Sequence, residues 1–168
     1  YPIVFHDQPA AVAASSPRLS IGYANMLFYN AVPDAATARL LAKKGAKVAL
    51  FDMNMDVARK TAAEIGAVAI QCNVGDAKSA EAAFAEASKA NGPVRILVNC
   101  AGVGKSGRTV NKDGPLPLDQ FAFVIQVNLI GTFNCIRLAA AEMGKQDKLN
   151  DDGERGVIIN TASVAAFD

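Results

Sequence analysis

Four short runs limit what this chain can fold into. Residues 47–52, 67–72, 95–100 and 156–161 are dominated by Val, Ile, Leu, Ala and Phe, with no polar residue alternating along them. A strand with apolar side chains on both sides must be covered on both faces, which a half-solvated antiparallel sheet does not do. The covers are present between the runs. A helix from Ala35 to Lys44 has Asp34 as its cap and Gly45 as its stop; a second runs from Asn54, its cap, to Ile65, with Gly66 ending it. Asp76 caps a third that reaches Ala90 before Asn91-Gly92-Pro93 breaks it, and a long apolar helix spans residues 117–144. Strands separated by helices pair in parallel, so the expected fold class is α/β, a doubly wound parallel sheet.

Such a sheet binds ligands outside the carboxyl ends of its strands. Those ends carry Asp52, Asn73, Asn99-Cys100-Ala101-Gly102 and Thr161-Ala162-Ser163. A carboxylate at Asp52 can accept both hydroxyls of an adenosine ribose and repels a 2′-phosphate, which favours NAD over NADP. The small residues after Asn99 leave room for a flat ligand against the backbone. Asn128 sits in the apolar helix, where a buried amide requires a fixed partner. Ser163, just past the last strand, is placed for a hydroxyl contact to a substrate oxygen.

Composition removes several classes of function. With 17 basic and 16 acidic residues the net charge is +1, so no strong field draws nucleic acid or an anionic membrane. No uninterrupted apolar run reaches the ~18 residues of a membrane span. Cys72, Cys100 and Cys135 lack metal-ligand spacing, so no metal site is expected, and they suit a reducing, cytoplasmic compartment. The composition also breaks near residue 34. Residues 1–34 hold all three tyrosines, the single histidine and four of the seven prolines, with Asp7, Arg18 and Asp34 as their only charges. They read as an anomalous segment, replaced or out of register, ahead of a partial domain over residues 35–168. A first residue of Tyr rather than Met suggests a fragment.

Three stretches resemble the short-chain dehydrogenase/reductase family: Val98-Asn99-Cys100-Ala101-Gly102, Val127-Asn128-Leu129-Ile130-Gly131-Thr132-Phe133-Asn134, and Gly156 through Phe167. The resemblance implies a Rossmann-like fold and NAD-linked oxidation of a secondary alcohol, such as a 3-hydroxyacyl-CoA or a hydroxysteroid. It implies that Ser163 orients the substrate oxygen and that Asn128 supports a proton relay. By the same resemblance Asp52 holds the ribose, Asn73 and Val74 border the adenine, and Cys100, Ala101 and Gly102 lie against the cofactor. A homo-oligomer built on the long helix is implied too, with the mitochondrial matrix as an alternative compartment.

The chain departs from that family at two places. The tyrosine and lysine that the resemblance implies after the serine are absent from residues 164–168. The glycine-rich phosphate turn should fall on residues 24–34, which contain no glycine, although residues 26–29 suit a first strand and Pro33 with Asp34 a helix start. Glycines there let a pyrophosphate reach free amides, whereas the Asp34 carboxylate repels it. The 168-residue chain is therefore expected to bind NAD poorly and to turn over no alcohol. The alternative reading is a non-catalytic remnant that only binds or associates.

Overall fold

The computed structural model describes residues 20–24, 35–105 and 107–163. Five parallel strands form one sheet: β1 (Ser20–Ala24), β2 (Lys47–Asp52), β3 (Val68–Gln71), β4 (Val94–Asn99) and β7 (Val157–Asn160), in the spatial order β3-β2-β1-β4-β7. The helices are α1 (Ala35–Lys43), α2 (Met55–Ile65), α3 (Ala77–Asn91), α4 (Leu118–Ile125) and α5 (Thr132–Met143). A small antiparallel hairpin, β5 (Val110–Asn111) with β6 (Gly114–Pro115), precedes α4. The expected α/β parallel architecture is what the chain adopts.

Caps and stops act where the residue types require. Asn54 Oδ1 accepts from Val57 N at 3.4 Å to open α2, and Gly66 closes it at φ 67°. Asp76 Oδ1 accepts from Ser79 N at 2.7 Å to open α3. Each strand sends alternate side chains to opposite faces, so the sheet carries two cores. Phe51, Ile70, Leu97, Cys135, Ala139 and Met143 pack on the α3/α5 side, where Phe51 meets Phe84 edge to face at 5.3 Å. Val48, Leu50, Val98, Cys100, Ala38 and Ala62 pack on the α1/α2 side.

The first strand is a correction. The apolar residues 26–29 suggested it, but β1 is Ser20–Ala24, and residues 26–29, Pro33 and Asp34 lie outside the described residues. Ladder register decides its place: Ala24 pairs with Phe51 on one side and Asn99 on the other, which brings three strand ends level. Gly22 at the centre of β1 weakens its local strand signal. The compositional break at residue 34 thus falls between β1 and α1, with β1 inside the sheet.

The long helix is continuous over Leu118–Met143 but contains a π-helical segment, Gln126–Gly131. Its mean hydropathy reaches 1.4 over an 18-residue window, enough by length and composition alone to cross a membrane. Its C-terminal part is buried against the sheet through Cys135, Ala139 and Met143, whereas α4 has no buried residue. At the far edge, Gly156 lets β7 come alongside β4: an added Cβ would lie 2.6 Å from the Arg95 carbonyl oxygen and 2.6 Å from Met143 Sδ. Gly156→Ala should therefore destabilise the fold by about 1–3 kcal/mol, the range for overpacking. A lower urea midpoint at unchanged slope is the expected reading.

Candidate functional site

At the carboxyl edge of the sheet the chain leaves a cavity of about 190 Å³. Asp52 and Met53 close it from the end of β2, Cys72, Asn73 and Val74 from the segment after β3, and Ala101, Gly102 and Val103 from the segment after β4. Phe123 and Val127 of the long helix complete the wall. Five residues singled out from sequence, Asp52, Asn73, Val74, Ala101 and Gly102, are brought together here.

Asp52 is 3 % exposed, and neither ion pair among the described residues involves it. Its Oδ1 accepts from Asn54 N at 2.8 Å. Burial pushes its carboxyl above the usual carboxylate range, and the backbone N–H groups of Asn54 and Met53 oppose that rise. A desolvated acid on the wall of a cleft is a candidate functional group. Cys72, on the cavity wall, and Cys135, in the core behind it, are buried thiols that desolvation pushes up to about 11 and about 12.

Residues 73–76 form a tight turn in which Asp76 N donates to Asn73 O at 3.0 Å and Gly75 N to Asn73 Oδ1 at 3.1 Å. Ser79 Oγ accepts from Asn73 N at 2.9 Å. Two amides of the long helix take its outward carbonyls: Gln126 Nε2 donates to Gly75 O, and Asn134 Nδ2 donates to Val74 O at 2.8 Å and to Asp76 O at 3.3 Å. Asn128 grips the other loop. Its Oδ1 accepts from Val103 N at 2.8 Å and its Nδ2 donates to Val103 O at 2.9 Å, the double bond pattern of a strand neighbour.

Sequence reasoning treated Asn128 as buried; it is exposed, and its fixed partner is the Val103 backbone. Neither Asn128 nor Ser163 lines the cavity, and Ser163 is exposed three residues past β7. Cys100 does not line it either. It shares a face with Val98, so the pleat turns its side chain into the α1/α2 core, where Thr161 Oγ1 donates to Sγ at 3.5 Å. Gln126 and Asn134 were missed, although the signal applied to Asn128, an amide inside an apolar helix, marks them equally. Asn99 and Asn160 were also missed as a pair; Asn99 Nδ2 donates to Asn160 Oδ1 at 2.8 Å and ties the ends of β4 and β7 together.

A family model describing short chain dehydrogenases matches residues 35–168, and the chain belongs to that family. Among curated proteins, 3-hydroxyacyl-CoA dehydrogenase type-2 of Drosophila melanogaster is 44% identical over 137 residues, which cover 79% of this chain and 53% of that protein. The Mus musculus protein of the same name is 43% identical over 140 residues, 81% of this chain and 53% of its own. The chain spans about half the length of these curated relatives. Among solved structures, 3-ketoacyl-(acyl-carrier-protein) reductase from Brucella melitensis, complexed with NADH, matches with a TM-score of 0.73 at 27% identity, covering 90% of this chain and 60% of that one.

Because the folded pKa of Asp52 is raised, the native state holds its proton more tightly than the unfolded chain does. That contribution to stability is fully present below the unfolded value, about 3.9, and is lost as pH rises through the folded pKa. Asp52→Asn keeps an acceptor for Asn54 N–H and removes the titration. The stability of D52N relative to the unsubstituted chain should rise between acid and neutral pH in urea unfolding; parallel pH profiles would contradict the assignment.

Proposed function

We propose that this chain carries the cofactor side of an NAD-dependent dehydrogenase that oxidises a secondary alcohol, such as a 3-hydroxyacyl-CoA or a hydroxysteroid. The observation that carries this reading is the buried Asp52 carboxylate, in neither ion pair among the described residues, on the wall of a cavity shared with Asn73, Val74, Ala101, Gly102 and neighbouring side chains. Family membership and the names of the relatives support the chemistry.

The residues present fit the adenosine half of the cofactor. Asp52 is placed to accept the ribose hydroxyls and to repel a 2′-phosphate. Val74 and Asn73 would flank the base, with Ala101 and Gly102 as a floor that no long side chain obstructs. At about 190 Å³ the cavity is smaller than the ~300–1,000 Å³ of complete small-molecule sites, so it suits a base and its ribose rather than a whole dinucleotide. The pyrophosphate side is poorer, because residues 25–34 contain no glycine to open the backbone amides. When bound, NAD supplies the hydride acceptor. Asn128 keeps the loop after β4 in place through Val103, and Ser163 offers its hydroxyl to orient the substrate oxygen.

Calorimetry with NAD, NADP and Asp52→Asn tests the reading. NAD should bind weakly, above the micromolar range, and more tightly than NADP. Losing a hydrogen bond to a charged acceptor costs ~1.5–3 kcal/mol, so D52N should weaken NAD about tenfold to a hundredfold and narrow its preference over NADP. Equal affinity of both chains would overturn the reading.

A second reading, association of copies, rests on one observation. Phe121, Leu129, Ile130 and Phe133 on the long helix are exposed, Leu129 by 62% and Phe133 by 63%. Contiguous exposed apolar surface marks interaction sites, and this patch supports a homo-oligomer formed across that helix. Light scattering should give a mass above the 17.5 kDa monomer, with Phe133→Glu shifting it down. The free, buried cysteines support a reducing cytoplasmic or mitochondrial-matrix setting.

A further inference from the structure

We infer that Asn134, oriented by Arg137 and through it by Glu81, is a positioning residue that sets the adenine-side wall of the cavity; this rests on the adenosine reading above. Asn134 is 5 % exposed and lies outside the cavity lining, so it acts through the turn it holds. Both of its amide functions are engaged. Nδ2 donates to the carbonyls of Val74 and Asp76 at 2.8 and 3.3 Å, while Oδ1 accepts from Arg137 Nε at 2.8 Å.

The guanidinium dictates which way round the amide sits. Arg137 can only donate, so it draws the Asn134 oxygen toward itself and leaves the NH2 group aimed at the turn. A flipped amide would set its oxygen against the Val74 carbonyl oxygen and its NH2 against a cation. Arg137 is fixed in turn by Glu81 of α3, at 2.9 Å between Nη2 and Oε1. Val74 is therefore held from two directions. Its carbonyl is pulled by Asn134, and its side chain rests on Gly131, where an added Cβ would lie 2.6 Å from Val74 Cγ2. The chain Glu81–Arg137–Asn134 thus joins α3 to the long helix at the level of a residue that lines the cavity.

Arg137→Met removes the orienting donor without creating a buried charge, because the Glu81 side chain is 53% exposed. Asn134→Asp keeps the acceptor for Arg137 and replaces the donor with an oxygen. The full 168-residue chain is followed by amide hydrogen exchange and by titration with adenosine, which lacks phosphates and so reads the base and ribose alone. Both variants should speed exchange at Gly75 and Asp76 more than in the sheet, and should weaken adenosine binding about threefold to tenfold, the scale of one neutral hydrogen bond. Arg137→Lys, which retains the charge beside Glu81 but not the fixed fork, should fall between. Adenosine binding that is present, sensitive to D52N and unchanged in R137M and N134D overturns the inference and leaves the adenosine reading standing. Absence of adenosine binding in the unsubstituted chain overturns that reading, and the inference with it.

Discussion

The pairing of β1 on both sides, to β2 and to β4, is the constraint from which the site follows. With β1 between them, the strand order runs outward to β3 in one direction and to β7 in the other, which places the reversal point of the sheet at β1 and β4. Helices then lie on both faces, and the carboxyl edge is the end where the segments after β2, β3 and β4 can converge. The register of β1 brings Phe51 and Asn99 level with Ala24, so Asp52 and the Ala101-Gly102 floor open at nearly the same height. Without that double ladder, the buried Asp52 and the loop floor would have no common cavity to share.

Loops at a sheet edge carry backbone groups that no strand satisfies, and a dry site demands that they be paired. Here the long helix satisfies them with side-chain amides. Gln126 and Asn134 take the carbonyls of the turn after β3, and Asn128 takes both backbone groups of Val103. The π-helical segment, Gln126–Gly131, carries two of these three amides, Gln126 and Asn128. An extra residue in the helical turn changes which side chains face the sheet edge, and such segments recur at functional sites. Gly131, at the end of that segment, allows Val74 to approach the helix axis more closely than any side chain would permit.

Strands β2, β3, β4 and β7 were legible in the sequence because each is a local apolar run between a glycine or proline stop and a polar end. The caps at Asn54 and Asp76 were legible for the same local reason. β1 was not, because Gly22 interrupts the short signal of Ile21 and Tyr23 and the strand's place is set by pairing with residues 47–51 and 94–99. The site was legible where residue type alone implies chemistry, as with Asp52, or where small residues close a strand, as with Ala101 and Gly102. The direction of the Cys100 side chain follows from the pleat: it has the parity of Val98, which points into the α1/α2 core. Asn128 was read correctly as an amide that needs a partner, yet its exposure depends on a helix face that a period of 3.6 residues does not describe through a π-turn. Gln126 and Asn134 carry the same signal and went unread because their partners are backbone carbonyls, which sequence does not single out.

The two deeply buried thiols give the fold an internal clock. Cys72 sits just past β3 and Cys135 on the sheet-facing side of the long helix, and desolvation holds both far from the thiolate form. Alkylating reagents attack thiolates, so neither sulfur reacts at an appreciable rate while sheet and helix stay closed. Their labelling rate at neutral pH therefore reports how often the helix lifts from the carboxyl edge of the sheet, a local opening that bulk unfolding signals average away.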